Sequence, residues 1–261
     1  MKKYFPILAF LFPTLLATAQ SSERLNLSDF SLKGKVKTVT ELQYRTKKDG
    51  KIDSAAFEEV TYSFNEKGML EQEESKNNGS KYYQYDKTGQ ATIMIFEGVN
   101  SFSLNYVYEQ KGTTLWQYCY YRSGHGAEIG TLQHKYRFTK DNSNRLVEYG
   151  QYYATGSDFY FKEVYTYNSN NRLEEIKNYG LSGKLAHRHT YKYDKNNNLV
   201  EEKEYSYTHK DNELNSTVKF EYKYDDENNW REMFKKVGRR KTISKEYIKT
   251  VRFTEYYEEA N

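Results

Sequence analysis

The chain holds one cysteine, Cys119, and two prolines, Pro6 and Pro13, both close to its start. A single cysteine excludes a disulfide-stapled fold and any cysteine-rich zinc or iron–sulfur site. Continuous Val/Ile/Leu runs are missing after residue 20, which argues against the buried strands of a parallel α/β enzyme. Neither sign of charge dominates, with 40 Lys and Arg against 36 Asp and Glu. That balance predicts no strong electrostatic steering to nucleic acid or to an anionic membrane. There is no phosphate-binding glycine loop, no Gly-x-Ser-x-Gly and no His-Glu-x-x-His, so no catalytic motif announces an enzyme. What the sequence has in quantity is tyrosine, 28 in 261 residues.

The first 19 residues read as an export signal. Lys2 and Lys3 precede an apolar stretch from Phe5 to Leu16, and Ala17-Thr18-Ala19 offers a small-x-small cleavage site. The stretch is short of the roughly 20 residues that a helical span needs, and its two prolines interrupt it. The expected mature chain starts at Gln20 in the periplasm, on the outer surface or in the medium, with no integral membrane segment after signal removal. Loss of Lys2 and Lys3 leaves 38 basic against 36 acidic residues. Residues 20–34 read as a linker and 35–261 as one repeat domain.

A single frame recurs along that domain: Tyr, any residue, an aromatic, Asp or Asn, two polar residues, Gly or Asn, any residue, then an aliphatic. The clearest copies begin at Tyr62, Tyr165, Tyr191 and Tyr222. Weaker ones begin at Tyr83 and Tyr106, one at Tyr136 carries two extra residues, and a degenerate one begins at Tyr44. Repeats are the first thing to settle, because they decide the architecture. Tyr-x-Tyr places two aromatics on one face of a strand. The Asp or Asn bonds its own backbone to start a turn, and the later Gly or Asn accepts a positive φ. Each unit is therefore a β-hairpin, and eight units give about sixteen antiparallel strands. Further turns are expected at Leu181–Lys184 and Val237–Arg240, and the stretch Glu246–Tyr257 reads as a closing strand whose charges blunt an exposed edge. The fold class is all-β, an antiparallel β-hairpin repeat array forming one long, twisted or rolled sheet. Glu201 beside Glu202, and Glu174 beside Glu175, put charge on both faces, which disfavours a two-sheet sandwich.

The frame resembles the YD repeat of the RHS family, Tyr-x-Tyr-Asp-x-x-Gly-x-Leu, most closely at Tyr83-Gln-Tyr85-Asp86-Lys-Thr-Gly89 and Tyr191-Lys-Tyr193-Asp194. The opening Gly34-Lys-Val36-Lys-Thr-Val39-Thr-Glu41 is similar to the start of small secreted bacterial proteins with such repeats. The resemblance covers most of the mature chain. It implies a repetitive antiparallel sheet at a bacterial surface and no catalytic residue.

Several constellations could carry chemistry, and each has a plainer explanation. His187-x-His189 would place two imidazoles on one strand face, half of a metal site, but no third ligand lies nearby and solvated strand residues are the simpler reading. The Asp/Asn-rich segments 194–198 and 225–229 lack the spaced acids of a calcium loop. Cys119, near His125, would make a nucleophilic pair, whereas a buried thiol packing as a small hydrophobe is the simpler reading. Lys235, Lys236, Arg239, Arg240 and Lys241 form a basic cluster expected at a hairpin tip. Trp116, Tyr118 and Tyr120 share one strand face. Exposed, they would make a stacking platform for sugar rings; buried, they would be core, which the scarcity of aliphatics favours. They are the candidate ligand-binding residues. No cofactor or metal is implied, and the expected partner of this non-catalytic protein is a glycan, or a peptide or protein of the cell envelope.

Overall fold

The computed structural model describes residues 30–257 apart from 31, 53, 125–129, 157, 196, 208–211, 227–228 and 240–244. The expected signal and most of the expected linker lie outside the described residues. Sixteen strands are described, from β1 (Val36–Arg45) to β16 (Lys245–Tyr256). Each pairs antiparallel with its neighbours in sequence, and β16 pairs with β1, so the sheet closes into a barrel. The repetitive antiparallel sheet is as expected; the open, rolled form is not. Residues more than 200 apart complete the ring, Leu42 opposite Val251 and Val39 opposite Thr254. The charges of β16 protect no edge, because closure removes the edge.

Seven hairpins begin at frame copies, and the frame's turn forms in six of them; the Tyr106 copy closes on the two residues Gly112-Thr113 between paired Lys111 and Thr114. In β2 (Glu58–Phe64) and β3 (Leu70–Ser75), Asn65 Oδ1 accepts from the amides of Lys67 and Met69, and the Gly68 amide donates to the Asn65 carbonyl. Gly68 has φ +76°, and the strand register slips by one residue at Ser63/Phe64, the bulge that such turns bring. The same arrangement returns at Asp86, Asp141, Asn168, Asp194 and Asp225. Asparagine takes the positive φ at 144, 171 and 197. Turn geometry thus accounts for these Asp and Asn residues without calcium.

The Tyr44 copy departs from the rest. Its turn forms, with the Gly50 amide donating to the Lys47 carbonyl, but it lies at the opposite end of the barrel, between β1 and β2, and Tyr44 points outward. Sixteen strands therefore arise from seven frame hairpins plus the first and last strands, not from eight hairpins. The turn expected at Val237–Arg240 is also displaced, since β15 (Trp230–Arg239) runs through Gly238 in register with Thr217.

Strand alternation separates two chemistries. The first tyrosines of the seven hairpins face inward, and two apolar clusters gather there: Val36, Val39, Val60, Tyr62, Phe64 and Leu70 in one, Leu115, Phe138, Leu146, Leu173 and Ile176 in the other. Phe30 and Leu32, from the expected linker, are buried in the first cluster. Tyrosine hydroxyls tie successive hairpins by donating to the carbonyl that opens the preceding return strand: Tyr167 to Leu146 at 2.7 Å, Tyr222 to Leu199 at 2.9 Å, and Tyr85 and Tyr108 to Leu70 and Ala91. Tyr257 adds a bond across the closure, donating to the Phe64 carbonyl at the end of β2. Phenylalanine would fill the same space without this bond. The outward positions are polar and often paired: Lys192 with Glu201 at 3.0 Å, Lys223 with Glu232 at 2.8 Å, Lys177 with Glu175 at 2.9 Å.

Candidate functional site

The outer wall carries a groove of about 640 Å³ over β7 (Thr114–Ser123), β8 (Thr131–Lys140), β9 (Leu146–Tyr153) and β10 (Phe159–Tyr167). Two of the three sequence candidates, Trp116 and Tyr118, line it. Both are half-buried and point outward, so they are not core. Tyr120 shares their face but does not line the groove. The core expectation failed because the inward positions of β7 are Leu115, Gln117 and Cys119, all buried, which puts the intervening aromatics outside.

The groove is built from side chains that no single motif contains. Trp116 meets the Tyr152 ring with centroids 5.1 Å apart at 53°. The Arg137 guanidinium lies 5.3 Å from the Tyr152 centroid and 6.0 Å from that of Trp116, cation–π distances that fix its plane. Gly150 lets Tyr152 fold back along its strand, because a Cβ there would stand 2.8 Å from the ring. Lys162 sits 5.6 Å from the Phe159 ring and 3.7 Å from the Glu148 carboxylate, which also takes Arg137. At the near end Glu109 accepts from Tyr118 at 2.9 Å and pairs with Lys111 at 2.8 Å. Lys111 first and then Tyr118 hold the Glu109 carboxyl below its usual range, and the Tyr118 phenol is raised, first by its bond to Glu109. Lys135 donates to the Gly156 carbonyl at 2.6 Å.

The other sequence candidates resolve differently. Cys119 is 2% exposed and faces the barrel interior, and burial pushes its thiol up to about 12, the opposite of an activated nucleophile. His125 lies outside the described residues. His187 and His189 share a face as expected, and that face is the interior, where both remain partly exposed: His187 Nδ1 lies 3.1 Å from Glu204 and His189 Nδ1 3.1 Å from Glu202. Among the described residues no group of three or more His, Cys, Asp or Glu is placed to hold a metal ion. The basic cluster is split by strand alternation. Lys235 points inward, where burial lowers its ammonium against the opposing pull of Glu202 and Glu246, and Lys236 lies outside, 5.9 Å from the Tyr247 ring. Arg240 and Lys241 lie outside the described residues.

Sequence reasoning missed Arg137, Tyr152, Phe159 and Lys162. Arg137, Tyr152 and Lys162 share only their alternation with the inward tyrosines of their own strands, and Phe159 lacks even that, because a bulge between it and Phe161 turns it outward. Without the register between strands nothing brings the four together.

No family model matches the chain, and no curated protein matches it. Solved structures with some likeness include a porin-like protein from Bacteroides uniformis, at 11% identity and a TM-score of 0.37, covering 84% of this chain and 96% of that one. Another is a porin-like protein from Bacteroides vulgatus, at 15% identity and a TM-score of 0.34, covering 86% of this chain and 99% of that one. The barrel described above rests on this chain's own strand pairing.

Proposed function

We propose that this is an exported, non-catalytic binding protein, a closed barrel of YD-like hairpins that holds a saccharide against its outer wall. The observation that carries the reading is the groove, where the half-buried Trp116, Tyr118 and Phe159 rings face outward over a buried Tyr152 while the first tyrosines of the seven hairpins pack inside. Sugar rings stack their C–H faces on such rings, and the flanking Glu109, Glu148 and Arg137 offer hydrogen bonds that orient hydroxyls. The barrel wall is suited to water. A lipid-facing barrel carries an apolar outward band, and each Lys or Arg at its midplane costs about 2–4 kcal/mol. Here the outward positions of neighbouring strands read Lys177, Arg188, Lys203 and Lys219, interleaved with Glu175 and Glu201. The signal and this charged wall together support a site in the periplasm, on the surface or in the medium. Closure leaves no free strand edge among the described residues, which disfavours a partner that adds a strand.

The test is an array of bacterial and plant glycans probed with the chain from Gln20, alongside a Trp116→Ala variant checked for folding by circular dichroism. A saturable signal lost in the variant supports the reading. A blank array, or a signal that survives the substitution, refutes it.

A further inference from the structure

The groove is unevenly charged. Four cations line it: Lys111, Lys135, Arg137 and Lys162. Two carboxylates answer them. Glu109 is engaged by Lys111, and Glu148 is shared between Arg137 and Lys162. Two positive charges are left over, and Lys135 meets a carbonyl but no carboxylate among the described residues. Arg137 gives one amino group to Glu148, its Nε is buried without a hydrogen-bond partner, and about a third of its side chain stays exposed to the groove. The guanidinium is already fixed in plane by Tyr152 and Trp116, so a ligand anion would find the fork preorganised and lose little to ordering it.

Resting on the saccharide reading above, we propose that the groove selects acidic glycans, chains whose sugars carry a carboxylate or a sulfate. One ring stacks on Trp116 and Tyr118 while its acid group meets Lys135 and the exposed edge of Arg137. A neutral sugar would stack equally well but leave the surplus cations unanswered. Charge-assisted hydrogen bonds of this kind are about twice as strong as neutral ones.

The experiment uses one backbone with its charge removed. Oligogalacturonate and its methyl ester present the same rings with and without the carboxylate, and a sulfated galactan and its desulfated form do so for sulfate. The expected result, by titration calorimetry of the chain from Gln20, is that at least one acidic member binds about tenfold or more tightly than its neutral counterpart. The preference should collapse toward unity at about 0.5 M salt, where exposed charges are screened within a few ångströms. Whichever pair shows it identifies the acid. Lys135→Gln should cut the acidic-to-neutral ratio about fivefold or more, and Lys135→Arg should restore most of it. Equal binding of acidic and neutral members overturns the inference while leaving the saccharide reading in place. No binding by any of the four removes both.

Discussion

The two halves of the barrel interior are built on different principles. Near the frame turns, each hairpin sets an apolar residue at the same height, with Leu70, Leu146, Leu173 and Leu199 all nearly inaccessible, and Trp230 taking the place in the last hairpin. Phe30 and Leu32 pack with Leu70 on one side of it. Further from those turns, the inward positions of β10 to β15 turn polar: Glu163, Asn178, His187, His189, Glu202, Glu204 and Lys235. The frame covers only the residues next to the turns, so it repeats the packing there and leaves the other half of each strand free to vary. Stability is concentrated where the sequence repeats. Chemistry is concentrated where it does not.

The largest test of this contrast falls at the packed end. Arg252 is 4% exposed, bonds Glu41 Oε1 at 2.6 and 3.0 Å, donates to the Phe30 carbonyl at 2.9 Å and lies 3.4 Å from the Trp230 centroid. Arg252→Ala leaves Glu41 buried without its partner and should cost about 3–5 kcal/mol in urea unfolding. Gly89→Val comes next. A β-branched residue at φ +81° should cost about 1–3 kcal/mol by the same measurement. Tyr222→Phe removes one rung between hairpins and should cost about 1 kcal/mol, with the barrel otherwise intact. Asn197→Gly, at φ +72°, should stay within about 0.5 kcal/mol of the parent. If Gly89→Val and Asn197→Gly behave alike, the turns do not carry the strain assigned to them.

The polar half predicts a change of opposite sign. Burial raises the Glu163 carboxyl above its ordinary 4.5, although Tyr165 and Asn178 both donate to it. The folded state therefore holds that proton more tightly than the unfolded chain. Its stabilising contribution is full below about pH 4.5 and is lost as pH rises through the raised value. Glu163→Gln should raise the melting temperature at about pH 7 and leave it unchanged at about pH 4. The new amide can also donate to Asn178 Oδ1, which is buried without a partner. A variant that melts lower at neutral pH would mean that the charge of Glu163 supports the fold.

The difference between the halves also explains what could be read in advance. Turns, strand number and the burial of Cys119 follow from contacts between near neighbours, which the frame spells out. Charge on both faces was legible too: Glu201 pairs outward with Lys192, and Glu202 inward with His189. Closure was not, because a hairpin has the same local pattern in an open sheet and in a barrel, and the β1–β16 seam joins residues of no matching sequence. The groove was half legible. Trp116 and Tyr118 declare a shared face, but that face is settled as outward only by the register with β8, which also delivers Arg137.

Tryptophan fluorescence tests the central claim most directly, since the chain has two tryptophans and Trp230 is buried at 5% exposure. Titration of the chain from Gln20 with an acidic oligosaccharide should produce a saturable change that disappears in Trp116→Phe. A flat titration in the parent, or the same change in the variant, would contradict the assignment of the groove as the binding site.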